Sequence, residues 1–132
     1  MYMDNNDFVD FIDNKFEELK VLFINKHKQY GTYNPLANFY TAAMMNNADT
    51  GGVAPENKIA LIAKMYEEAK NFQRKHIAHI QNNRIYGAKV AESLKDIAVY
   101  SVIMLYMETK YKEALQERKE ATQKEIDDAV GE

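Results

Sequence analysis

The chain has 132 residues, enough for one domain with its own core, and it carries 17 basic against 20 acidic side chains, a formal net charge of −3. That balance gives no basic field for nucleic acid, and the lack of cysteine removes disulfides, thiolate metal sites and cysteine nucleophiles together. The longest apolar run is far shorter than the roughly 20 residues of a membrane helix, and the acidic start (Asp4, Asp7, Asp10, Asp13) is the reverse of a signal peptide. A cytoplasmic protein is expected, single-domain over 1–132, with no membrane and no nucleic acid among its partners.

From Asp4 to Gln29, Phe8, Phe11, Ile12, Phe16, Leu19, Leu22 and Phe23 recur at three- and four-residue steps, the pattern of an amphipathic helix. Asp4 to Asp7 supply a cap and favourable first-turn charge. Glu18 stands at the margin of the apolar face, and Gly31 is the expected stop. Asn34-Pro35 is a start signal for a short second helix that buries Leu36, Phe39, Tyr40, Ala43 and Met44. Asn46 to Val53, with Gly51-Gly52, reads as a loop. Pro55 is expected to open a third helix ending near Gln81, with Ile59, Ile62, Tyr66, Ala69, Ile77 and Ile80 as one stripe and Glu68 at its edge. Asn82-Asn83 breaks the pattern.

The fourth helix is expected to start near Gly87 and to carry the stretch around which the chain is organised. From Ile97 to Met107 every residue except Ser101 is apolar or aromatic, so this helix is expected to be packed on all sides. Beyond Glu108 the apolar pattern thins. The result is an all-α fold: a compact bundle of four to five helices, with a core from about 5 to 110 and a charged helical extension over 111–132.

Two carboxylates open the central stretch. At about 100° per residue, Glu92, Asp96 and Tyr100 share a ridge that runs on into Ile103 and Met107. One turn apart, Glu92 and Asp96 can both reach one divalent ion, and magnesium accepts few carboxylates while keeping water and phosphate oxygens. The plainer alternative is a helix N-terminus enriched in acid and balanced by Lys89 and Lys95. A complete site needs a second helix, and Glu18 and Glu68 are the carboxylates whose wheel positions can face inward. Each is also readable as a solvated edge residue. His76 and His79, three apart, offer a metal pair or two ordinary surface histidines. Lys26, His27 and Lys28, and likewise Lys70, Arg74 and Lys75, offer phosphate grips or solvated faces.

Lys28-Gln29-Tyr30-Gly31, then Asn38-Phe39 and Ala42-Ala43, the Gly51-Gly52 loop, Lys64, and Glu92-Ser-Leu-Lys-Asp96-Ile-Ala-Val-Tyr100 together resemble a group of small bacteriophage proteins. These are similar to the MazG-type all-α nucleoside-triphosphate pyrophosphatases, as distant relatives. The resemblance covers about Phe16 to Met107. It implies a helical core, a homo-oligomer (dimer or tetramer), and a magnesium-dependent nucleotide pocket built on Glu92 and Asp96, with Tyr30, Asn38, Lys64 and Tyr100 as ligand-binding residues.

The sequence departs from that family's acidic pattern. Val21 stands where a third Glu of a Glu-Glu-x-x-Glu motif belongs after Glu17-Glu18, and Ser93 lies closest to the usual later Glu. Loss of metal ligands weakens two-metal hydrolysis before it weakens nucleotide binding. Three functions therefore stand open. One is a pyrophosphohydrolase in which Glu18 or Glu68 completes the metal shell or activates water and Lys64 contacts phosphate. A second is a non-catalytic binder that sequesters a nucleotide signal inside an infected cell. The third is a structural helical oligomer in which Asp96 pairs with Lys64.

Overall fold

The computed structural model describes residues 3–30, 36–47 and 57–131, with the side chains of 26–30 excepted. They form four helices: α1 (Asn5–Tyr30), α2 (Ala37–Asn46), α3 (Lys58–Gln81) and α4 (Val90–Val130). No strand occurs among the described residues, and the all-α reading holds. The expected stop at Gly31, the Asn34-Pro35 start, the Gly51-Gly52 loop and Pro55 lie outside the described residues. The chain divides into two units: Met1–Ala37, which holds α1, and Asn38–Glu132, which holds the rest.

α1 starts as its sequence dictates. Asp4 Oδ1 accepts hydrogen bonds from the backbone N–H of Asn6 (2.8 Å) and Asp7 (3.1 Å), satisfying donors that an uncapped first turn would leave without partners. α3 begins at Lys58, where Asn57 is the cap and its Oδ1 accepts from Ala60 N at 3.2 Å.

α3 and α4 form an antiparallel hairpin joined by Asn82–Lys89, and its connection is tightly specified. Asn82 N–H still donates to Ala78 O (3.1 Å), and Gly87 N–H donates to Arg84 O at 2.7 Å. A Cβ on Gly87 would lie 2.9 Å from that same carbonyl oxygen, so only glycine fits without a shift. Lys89 takes the left-handed φ of 63°, and α4 starts one residue later, at Val90. His79 Nε2–H donates to Ala88 O at 2.8 Å, and Asn83 Nδ2 to His79 O at 2.7 Å. His79 thus ties the turn to the end of α3.

The core of this unit is small. Its buried apolar side chains are Met65 and Ala69 of α3, Val90, Ile103, Met107 and Ala114 of α4, and Phe39 and Ala43 of α2. Ala43 and Ala69 have no accessible surface. α4 is not enclosed as expected. Ile103 and Met107 are buried, but Leu94, Val102, Leu105 and Tyr106 are 50, 60, 63 and 46% exposed. Within its unit the long helix finds neighbours along one side only.

Beyond Leu115 every described residue of α4 is exposed. Pairs one turn apart support this extension, Gln116 with Glu120 (3.1 Å) and Gln123 with Asp127 (2.9 Å), and Lys110 with Glu113 (3.1 Å) and Glu108 with Lys112 do the same just before it. The hydrogen bond and charge of Glu113 hold Lys110 above the ordinary lysine pKa.

The burial pattern makes a direct prediction. Met107→Ala empties the best-buried large side chain and is expected to cost about 2–5 kcal/mol. Val102→Ala and Leu105→Ala are expected to change monomer stability by no more than about 0.5 kcal/mol. Urea unfolding followed by circular dichroism measures all three.

Candidate functional site

An aromatic column crosses the three helices of the larger unit. Phe72 and His76 stand one turn apart on α3 and face Tyr100 of α4. The Phe72 and Tyr100 rings are stacked, with centroids 6.3 Å apart and planes 8° from parallel. The His76 ring lies 6.0 Å from Tyr100, at 28°. From α2, Phe39 presents its edge to both, at 5.6 Å from Phe72 and 6.2 Å from Tyr100. Edge-to-face and offset contacts of this kind add to the burial of the rings.

The column ends in polar groups. His76 Nδ1 lies 3.4 Å from Ser93 Oγ, and Nε2 lies 3.5 Å from Asp96 Oδ2. A carboxylate accepts only, so a neutral His76 donates from Nε2 to Asp96 and leaves Nδ1 for the Ser93 hydroxyl. Next along α3, Gln73 Nε2 donates to Ile97 O and Ser101 Oγ, each at 3.0 Å. The Asp96 side chain keeps 30% of its surface open and that of His76 keeps 18%. A small ligand can reach this end of the column. The order hydroxyl, imidazole, carboxylate is that of a hydrolytic triad, but Ser93 is buried inside a helix at 6% exposure. No substrate carbonyl can approach it, so nucleophilic catalysis by Ser93 is excluded.

Within this unit the other expected site residues are dispersed. Glu92 is exposed one turn before Asp96. Glu68, expected at an edge, is buried at 8% exposure and accepts a 2.6 Å hydrogen bond from Asn46 Nδ2, which ties α2 to α3. Glu18 belongs to α1, where its side chain is exposed and bridged to Lys15 Nζ at 2.6 Å. Asn38 is exposed on α2, beside Phe39. The side chain of Tyr30 lies outside the described residues. Lys64 is exposed on α3, 12 residues before His76, which at 1.5 Å per residue is about 18 Å along the helix. His76 is therefore a cation-capable group beside Asp96, and Lys64 lies too far along α3 for a structural Lys64–Asp96 pair.

Among the described residues no three His, Asp or Glu side chains converge into a metal site. Glu92 and Asp96, one turn apart, are the carboxylates α4 offers at this end, too few for a two-metal clamp. At the opposite end of the hairpin, an apolar cleft of about 260 Å³ is lined by Ile62, Tyr66, Met107 and Tyr111, with Glu67 and Glu108 at its rim. Those carboxylates are bridged to Lys70 (3.2 Å) and Lys112.

Comparison with family models, curated protein sequences and solved structures found no match for this chain. The groups that sequence reasoning passed over are Ser93, Gln73 and Asn46, together with His76 as a partner of Asp96. For His76 the signal was present, since residues equidistant from the turn around Asn82–Lys89 face one another in an antiparallel hairpin.

The Asn46–Glu68 contact is testable. Asn46→Ala leaves a buried carboxylate short of a donor and is expected to cost about 1–3 kcal/mol. Glu68→Gln should recover part of that loss in the double variant, read as a coupling energy from thermal or urea melts.

Proposed function

We propose that this chain is a nucleotide-binding protein of the MazG-like phage type, and that it binds its ligand without hydrolysing it. The observation that supports this reading is the Tyr100–His76–Asp96 end of the aromatic column. It joins ring surface to a partly open carboxylate within three turns of two packed helices. A nucleobase has faces that stack on aromatic side chains, a contact that tolerates any base. Beside it, Asp96 and Glu92 would hold a magnesium ion, whose chemistry is to neutralise phosphate charge. His76 adds an imidazole that can donate to a phosphate oxygen once Asp96 is engaged.

The partners the other carboxylates already hold favour binding over hydrolysis. Activation of water requires a positioned base within hydrogen-bond reach of the attacking oxygen. Glu68 is committed to Asn46, and Glu18 to Lys15. Sequestration of a nucleotide signal in an infected cell is the activity that matches a site with these parts.

Titration calorimetry of the full chain against nucleoside triphosphates in magnesium buffer tests the proposal. Binding is expected for the wild type, and Asp96→Asn, nearly the same in shape, is expected to weaken it at least about tenfold, or 1.4 kcal/mol. Glu67→Gln, at the other end of the hairpin, should leave binding unchanged. Equal affinity in Asp96→Asn and wild type sinks the reading. Sustained pyrophosphate release that disappears in Glu92→Gln would instead make the protein an enzyme.

A further inference from the structure

The last residue of the turn before α4 breaks two local rules at once. Lys89 holds a left-handed φ of 63°, a conformation in which any residue but glycine crowds its Cβ against the backbone. It is also the N-cap of α4, and its side chain makes no cap hydrogen bond there. Ser, Thr, Asp and Asn cap a helix through a side-chain oxygen, and glycine takes a positive φ without strain. Lysine does neither. The chain meets the same demands elsewhere with the expected residues: Asn57 caps α3 through its side chain, and Gly87 stands where a Cβ would lie 2.9 Å from Arg84 O. What lysine brings to position 89 instead is a long cationic arm.

Its place on α4 says what that arm can reach. Ser93 N–H donates to Lys89 O at 3.0 Å, so Lys89 is the residue on which the α4 hydrogen-bond ladder starts. Glu92, Ser93 and Asp96 follow it by three, four and seven residues, the spacing of one helix ridge. Seven residues are about 10 Å along the axis, against about 18 Å from Lys64 to His76 along α3. An extended nucleoside triphosphate is long enough to span the shorter distance. We infer that Lys89 is the phosphate-binding cation of the Asp96 end, an inference that rests on the nucleotide reading of that site. With the base on the Tyr100 and His76 rings, the phosphate tail runs past Asp96 and Glu92 along the first two turns of α4 and meets Lys89. An ammonium group is a point charge that grips phosphate without a fixed geometry, so a cap residue can carry it.

Lys95 is the rival cation, next to Asp96 in the chain. It stands about 100° round the helix from Asp96, and its backbone is helical, where lysine is an ordinary residue. Nothing local is given up to place a lysine at 95. At 89 both the cap and the backbone are compromised for it.

Two measurements on the full chain test the inference together: urea unfolding, and titration calorimetry with nucleoside triphosphates in magnesium buffer. Lys89→Gly removes the Cβ from a left-handed backbone and should unfold at a higher urea midpoint than the wild type. The same variant should bind triphosphates about tenfold more weakly, as expected for the loss of one charged contact to phosphate. Its affinity for the matching monophosphates should fall less, and Lys89→Arg should bind triphosphates like the wild type. A variant that is more stable and binds worse marks a residue retained for the ligand and not for the fold. Lys89→Gly binding as tightly as a wild type that Asp96→Asn weakens overturns the inference and leaves the nucleotide reading standing. A lower urea midpoint for Lys89→Gly overturns it as well, because lysine would then serve the fold. A wild type that binds no triphosphate removes the reading and the inference with it.

Discussion

The antiparallel packing of α3 on α4 is the constraint from which the larger unit follows. Its register is set at the connection, where Gly87 admits no Cβ, Lys89 accepts a left-handed backbone, and His79 bonds across to Ala88. From there the pairs are fixed in order: His76 meets Ser93 and Asp96, Phe72 meets Tyr100, and Lys58 approaches Glu117 at 3.7 Å. A shift of one residue on either helix would turn Met107 and Ala69, both almost wholly buried, away from each other's helix. The turn chemistry and the core thus enforce one register twice over. The packing term is the larger, because each turn bond contributes only about 1 kcal/mol net.

That register decides what chemistry the hairpin can perform. It brings an imidazole to Asp96 and keeps Lys64 about 18 Å away along α3. A ligand held at Asp96 therefore meets aromatic surface and an imidazole. Asp96 is also not an isolated buried charge, since His76 lies beside it and part of its surface remains in water.

Much of this was readable from residues in order. The helical class, the Asp4 cap, the end of α3 at Gln81 and the solvated extension of α4 follow from periodicity and local signals, which act over a single turn. What the sequence concealed is non-local. Glu68 looks like an edge residue on a wheel, and only the approach of α2 buries it under Asn46, 22 residues away. The stretch Ile97–Met107 is apolar all round, but composition cannot count neighbours, and one side of it stays open. α3 starts at Lys58, where the Asn57 side chain accepts the Ala60 N–H, a cap that the sequence reading did not single out. The histidines were read as a pair because they are close in sequence. The hairpin separates their tasks, giving His79 to the turn and His76 to Asp96.

The acids of α1 show how one side chain is claimed by competing roles. The family resemblance would enlist Glu18 in a metal shell, where a carboxylate must offer its charge to a dication. At 2.6 Å from Lys15 Nζ, much of that charge is already compensated, and adding a metal would require breaking the bridge. Exposed bridges are weak, worth about 1 kcal/mol or less, so the bridge alone would not prevent metal binding. What tips the balance is the missing company: Val21 stands one turn on from Glu17-Glu18, where a further carboxylate would be needed. A lone acidic edge beside a row of phenylalanines has little to offer magnesium.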